Sequence, residues 1–423
     1  MLLQFSTENY KTFKEEMVFD MTANPNQEGL DLDYSLIHRT IDNEAFKILC
    51  SSVIVGPNAS GKTNLFSAMD TLRSIILRGN ILNAPDASSP NKASCFLERI
   101  PNSHNPHKPV AFSIAFIESD YLIEYSLEID LGAFLTPKYD RKVVSERLDI
   151  NDKMIFKREF SDIVLGELAT IKHLLNPKFS ADLTSVSSME ATDLFLVNDF
   201  KSLCSIKLVA LIKNWIENKF IIVFNEGISS FNLRTSKQYL RKTLNEAIFE
   251  FGANNPIYFV QDGAELKFAS KTNDKVLPSE EFESRGILNF LKIFPVILEA
   301  YSNGATLVID EFPFNLHTDG VLSIINAFHH DAHNIQGAQL IFNTHNLGLL
   351  THAMFRRDEI KLMEFKDNCS ELYSIANFEL SDRDLQYDYD KNYLFGMFGA
   401  IKNVEFNPIL QEMAKESHEE DEI

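Results

Sequence analysis

Gly56-Pro57-Asn58-Ala59-Ser60-Gly61-Lys62-Thr63 has the spacing G-x-x-x-x-G-K-[ST] and follows the apolar run Ser52-Val53-Ile54-Val55. The run reads as a buried strand and the segment after it as a helix, the context a phosphate-binding loop needs. Its two glycines permit tight turns, so that successive N–H groups at a helix start can surround phosphates. Lys62 would neutralise the β- and γ-phosphates of a nucleoside triphosphate, and the Thr63 hydroxyl would ligate Mg²⁺. Asn58, Ala59, Ser60 and Asn64 complete the expected nucleotide-contacting set.

A second stretch, Thr306-Leu307-Val308-Ile309-Asp310-Glu311, is an apolar strand ending in two carboxylates. Asp310 would hold the metal, and Glu311 would orient or deprotonate an attacking water. Taken alone, the pair could equally be solvated acids at a strand end. A third stretch, Gln339-Leu340-Ile341-Phe342-Asn343, runs into Thr344-His345-Asn346, where His345 fits a γ-phosphate sensor or a plain polar loop residue. Glu283-Ser284-Arg285-Gly286 precedes a helical pattern. Ser284 can cap that helix, and an anion could meet Ser284 and Gly286 there.

Phosphate loop (Walker A), signature, acidic strand (Walker B) and switch histidine follow one another in this order, after Phe5-Ser6-Thr7-Glu8-Asn9-Tyr10-Lys11-Thr12-Phe13-Lys14. In this the chain resembles the ABC-class, SMC-like ATPases of bacterial anti-phage defence, the AAA15/RloA-like group. The ATPase subunit of the PARIS system and the Septu ATPase are similar proteins. Further matches are Gly337 to His345, Arg356 to Ile360, Ser370 to Ser374 and Tyr393 to Ile401. The resemblance implies an α/β, ABC-type P-loop ATPase head with a β-rich N-terminal lobe and a helical insertion. It implies ATP and Mg²⁺ as cofactors, and head-to-tail pairing in which Ser284 and Gly286 meet the nucleotide of a sister subunit. It also implies a switch that controls a separately encoded toxic effector, a nuclease by expectation, with a phage-encoded trigger. Departures are Ile287 and Thr318, where Thr and Pro are usual, and Met397 and Lys402, where Arg and Pro are. No Q-loop glutamine stands out between 90 and 110.

These motifs need elements to position them. Strands are expected at 2–6, 17–21, 51–55 and 220–224, a helix over 62–78, an exposed loop over 80–108 and an antiparallel meander over 110–160. Helical patterning recurs at 168–175, 208–216 and 237–251, and 257–277 reads as a hairpin. From 285 the pattern becomes helix 285–301, strand 306–310, helix 319–330 and strand 339–343, which is the logic of a parallel sheet. The expected division is a front half of the head at 1–160, a mainly helical insertion at 161–255, a rear half at 256–410 and an acidic tail at 411–423. His329-His330-Asp331 falls late in a helix expected at the surface, and no nuclease constellation is present.

Composition narrows the classes. The chain has 423 residues and a formal charge of −20, which argues against a protein that coats nucleic acid, although a local basic patch could still bind it. A DNA-clamping, SMC-like repair ATPase is therefore the competing reading, and the absence of sustained heptads also counts against it. A transporter's nucleotide domain and a hexameric AAA+ motor fit less well. Four scattered cysteines without a C-x-x-C, no apolar stretch of membrane-spanning length and no signal-peptide pattern lead to the expectation of a cytoplasmic protein without a membrane partner.

Overall fold

The computed structural model describes residues 1–25, 35–86, 88–179, 189–224, 246–247, 249–250, 257–262, 265–272, 275–278, 283–312, 316–329, 333–379 and 388–401. In chain order the strands are β1 (Leu2–Glu8), β2 (Met17–Asp20), β3 (Leu36–Ile41), β4 (Glu44–Leu49) and β5 (Ser51–Val55), followed by helix α1 (Lys62–Arg78). Next come β6 (Val110–Glu118), β7 (Tyr121–Asp130), β8 (Lys142–Ile150), β9 (Lys153–Glu159) and β10 (Asp162–Leu165). Helix α2 (Ile206–Asn214) leads to β11 (Phe220–Val223), and β12 (Ile257–Asp262), β13 (Glu265–Thr272) and β14 (Lys275–Pro278) form an antiparallel trio. The last part holds α3 (Arg285–Ser302), β15 (Thr306–Ile309), α4 (Thr318–His329), β16 (Gln339–Asn343), β17 (Ile360–Lys366), β18 (Cys369–Ser374) and α5 (Tyr389–Leu394).

Two large sheets carry the molecule. One is antiparallel, in the order β10-β9-β8-β7-β6-β1-β2; the other runs β11-β15-β16-β5-β17-β18. In the second sheet β11, β15, β16, β5 and β17 are mutually parallel, and β18 returns antiparallel at the edge. Every residue of β5, β15 and β16 is buried. That is why these strands read as continuous apolar runs: a parallel sheet is covered on both faces.

Side chains alternate across it. Ile54, Val308, Ile341 and Met363 point into a core shared with the antiparallel sheet and with α1. Val53, Val55, Leu307, Ile309, Leu340 and Phe342 point into a second core with α3, α4 and α5. Helix α1 thus lies between the sheets, with Leu65, Phe66, Ala68, Met69, Leu72, Ile75 and Ile76 buried. One buried side chain ties the sheets together: the Gln339 Oε1 accepts from the Leu2 N–H at 2.7 Å, and its Nε2 donates to the Leu2 carbonyl at 3.0 Å.

Several expectations need correction. Residues 80–108 are not an exposed loop: Ile81, Leu97 and Ile100 are buried, and Lys92–Cys95 forms a helical turn capped by Asn91. Asn91 Nδ2 donates to Asp70 at 2.8 Å and Ser67 Oγ donates to Asn91 Oδ1 at 2.8 Å, so polar bonds to α1 order a segment without apolar periodicity. Residues Leu168–Leu174 form 3₁₀ turns rather than an α-helix, broken at a non-helical Ile171, which is fully buried while Leu168 and Leu174 pack partly buried against the same core. The 257–277 hairpin has a third strand. His329 is fully buried, its Nε2 2.8 Å from Ser51 Oγ and 3.0 Å from Glu359 Oε1, where the sequence reading put it on the surface. The helix expected over 237–251 and the tail at 411–423 lie largely or wholly outside the described residues.

Candidate functional site

The parallel strands β5, β15 and β16 end side by side. In register, Ile309 pairs with Phe342, and Asn343 pairs with Ile54. The three chain segments that leave these strands therefore emerge together: the loop after Val55, Asp310-Glu311, and Asn343 to His345. Strand β16 lies between β5 and β15, so the histidine segment separates the phosphate loop from the acidic pair. Ligands of open α/β sheets bind at such carboxyl ends.

The loop is shaped by two close approaches. A Cβ on Gly56 would lie 2.2 Å from the Met363 carbonyl oxygen of β17. Gly61 precedes α1 with φ 111°, and a Cβ there would lie 2.4 Å from Ser370 Oγ of β18. Ala59 also has positive φ, 63°. Helix α1 then starts at Lys62 with N-terminal N–H groups that have no helical acceptor. Ser60 Oγ is buried with no hydrogen-bond partner. Asn58 is exposed, and Asn64 Nδ2 donates to Thr12 Oγ1 at 2.9 Å, which turns it toward the β1–β2 loop.

Lys62 Nζ donates to the carbonyls of Gly56 at 2.7 Å and Pro57 at 2.8 Å, inside its own loop. Burial lowers its pKa to about 8, against the upward pull of the Asp310 and Glu311 carboxylates. Thr63 Oγ1 donates to Asp310 Oδ1 at 3.1 Å, across 247 residues of sequence. Asn343 Nδ2 donates to the same oxygen at 2.6 Å, and Asn343 Oδ1 accepts from the Glu311 N–H at 2.5 Å. Glu311 is left-handed, with φ 59°. Burial raises the Asp310 pKa, opposed first by its bonds from Asn343 and Thr63 and also by Lys62. His345 is exposed; partial burial and then the Lys62 cation depress its pKa, while Glu311 and Asp310 oppose them. At neutral pH its imidazole is therefore neutral.

The structure brings Lys62, Thr63, Asp310, Glu311 and His345 into one electrostatic neighbourhood. Ser284 and Gly286 lie at the start of α3, where Ser284 Oγ accepts from the Ile287 N–H at 3.3 Å. Among the described residues no hydrogen bond joins them to the loop 56–63. The residue that sequence reading gave no role is Asn343. Its signal was its position, a polar residue closing a wholly buried strand.

These donors fit a triphosphate. Helix N–H groups, the orphaned Ser60 hydroxyl and the Lys62 ammonium converge on one loop. Thr63 and Asp310 fit Mg²⁺, a hard cation that takes oxygen ligands and keeps several waters. Among the described residues no group of three or more His, Cys, Asp or Glu could hold a metal unaided, so phosphate and water oxygens would complete the shell.

Residues 51–351 match the family described as "AAA domain, putative AbiEii toxin, Type IV TA system". The chain belongs to this family. The matched span begins with β5 and ends just past His345, so it contains every candidate residue from Gly56 to His345. The architecture is α/β, with the phosphate loop at the carboxyl end of a largely parallel sheet. Solved structures similar to the chain include two SMC heads. The SMC head domain from Thermotoga maritima is 13% identical, with a TM-score of 0.40 over 90% of this chain and 99% of that one. An SmcHead bound to the C-winged helix domain of ScpA is 13% identical, with a TM-score of 0.43 over 91% and 99%. No curated protein matches the chain. No described helix is long and apolar enough to cross a membrane.

Proposed function

We propose that the protein binds ATP with Mg²⁺ on the loop Gly56–Thr63, hydrolyses it slowly, and uses its nucleotide state as the switch of an anti-phage, abortive-infection system. The observation that carries the reading is the Thr63–Asp310 contact, which joins the loop to the acidic strand. Lys62 holds positive charge at the β- and γ-phosphate positions. Thr63 and Asp310 hold the metal, which when bound neutralises charge on the phosphates. Glu311 takes the proton of the attacking water. His345, neutral beside Lys62, contacts the γ-phosphate side of the site.

Pairing of two heads supplies the remaining donors in this reading. Ser284 and Gly286 of one copy, at the exposed start of α3, close over the nucleotide of the other. The family's description as a toxin of a toxin–antitoxin system supports a role in defence. The partner it controls is a separately encoded toxic effector, a nuclease by preference, because no nuclease constellation is found in this chain. A charge of −20 suits a basic partner and disfavours the DNA-clamp alternative.

The test is Glu311→Gln, measured by light scattering with and without Mg-ATP. ATP should be retained unhydrolysed and the mass should double. An unchanged mass with ATP bound removes the pairing, and absent ATP binding removes the whole reading.

A further inference from the structure

We infer that Asn343 is a positioning residue that sets the geometry of Glu311. The inference rests on the proposed ATPase reading and concerns the same site. An extended chain sends successive side chains to opposite faces of a sheet. Continued as a strand, Asp310 and Glu311 would therefore diverge. Instead the chain turns at Glu311 with φ 59°, a backbone region that non-glycine residues occupy only when their surroundings impose it. Both carboxylates consequently act on Lys62 and on His345.

The surroundings that impose the turn centre on one side chain. The Asn343 amide spans two consecutive residues of the neighbouring strand's exit. Its Nδ2 donates to Asp310 Oδ1 at 2.6 Å, and its Oδ1 accepts from the Glu311 N–H at 2.5 Å. An amide suits this task because it carries a donor and an acceptor on one rigid plane. A carboxylate lacks the donor, and alanine offers neither group. Asn343 is itself 1% exposed, and its backbone is fixed in register beside Ile54. The clamp therefore hangs from the middle strand and cannot drift. Asn343 also precedes His345 by two residues, so the segment that reads the γ-phosphate side also holds the base.

Three variants test the inference: Asn343→Ala, Glu311→Gln and the double variant, each assayed for ATP turnover and, separately, for affinity toward a fluorescent ATP analogue. Asn343→Ala should keep nucleotide affinity within about threefold and lose about 100-fold in kcat. Because Asn343 acts through Glu311, the double variant should turn over no more slowly than Glu311→Gln alone. A purely structural residue would instead multiply the two losses. Multiplied losses, a wild-type kcat in Asn343→Ala, or a tenfold loss of affinity with kcat preserved would each overturn the inference. If Asn343→Ala fails to fold, Asn343→Ser, too short to span both partners, carries the same expectations. Wild-type protein that binds ATP without turning it over sinks the ATPase reading and this inference together, and is recognised without any variant.

Discussion

Gly61 and Ser370 stand so close that one methyl group on Gly61 would lie 2.4 Å from the serine hydroxyl oxygen. The edge strand β18 thereby sets the floor of the phosphate loop. Gly61→Ala should weaken ATP binding at least tenfold and destabilise the fold by about 1–3 kcal/mol, from overpacking and from a left-handed φ together. Gly61→Ala with Ser370→Gly should regain part of the affinity but not all of it, since φ 111° remains. Isothermal titration with ATP on the single and double variants checks this. Equal losses in both would show that the contact is irrelevant.

Lys62→Ala separates binding from stability. The ammonium is buried with two main-chain carbonyls as its hydrogen-bond acceptors, so its removal relieves a desolvated charge. ATP affinity should fall by 100-fold or more while the melting temperature stays level or rises. A variant that keeps its ATP affinity would refute the assignment of this loop.

The same lysine predicts a pH dependence. Its pKa is lowered from 10.5 to about 8, because burial disfavours the charged form. Triphosphate binding needs that charge. Affinity should be flat up to about pH 7.5 and then fall toward tenfold per pH unit above 8, as the free protein loses the proton that binding must restore. Folding stability should move the other way. A base with a depressed folded pKa costs stability while protonated, and the cost fades as pH rises from about 8 toward 10.5. Nucleotide titrations and thermal melts at pH 7, 8 and 9 test both signs.

Gln339 makes a prediction about the scaffold. It is wholly buried; its Oε1 also accepts from Thr306 Oγ1 at 2.7 Å, and its Nε2 also donates to the Leu49 carbonyl at 3.2 Å. Gln339→Leu keeps the volume and strands several of these buried groups. The expected cost is about 2–4 kcal/mol in urea unfolding, with ATP affinity little changed because the glutamine lies at the far end of β16 from His345. A loss below 0.5 kcal/mol would mean that the sheets are held together by apolar packing alone.

The legible parts of the sequence were those where periodicity and chemistry agree. Val53 to Val55, Leu307 to Ile309 and Leu340 to Phe342 are apolar runs because both faces of their sheet are covered. Motifs hung on such strands are legible because strand and motif are both local, and Thr63 and Asp310 are in contact across the sheet. Asn343 stayed silent because its role depends on a partner strand whose register no local pattern states. His329 was misread because a histidine near a helix end looks solvated until Ser51 and Glu359 are known to face it. The order of the segment 80–108 is not visible in its own pattern because it involves Asn91, a polar residue that bonds to Ser67 and Asp70 of α1, 24 and 21 residues earlier. Ser284 was legible as a helix cap because the type and place of a capping residue are local features, and its Oγ does accept from the Ile287 N–H.

Among the described residues strand β5 pairs with β16 and β17, both made of residues beyond 338. On the ribosome, the completed Ser51–Val55 segment must therefore wait for Asn343 before its first ladder can close, and for Leu362 before the second. At about 5–20 residues per second that wait lasts roughly 15 to 60 seconds. Throughout it the nascent chain carries an apolar strand whose partner strands have yet to be made, and the nucleotide cradle cannot assemble before they are. The phosphate loop thus depends, for the strand that carries it, on the chain's rear half being made.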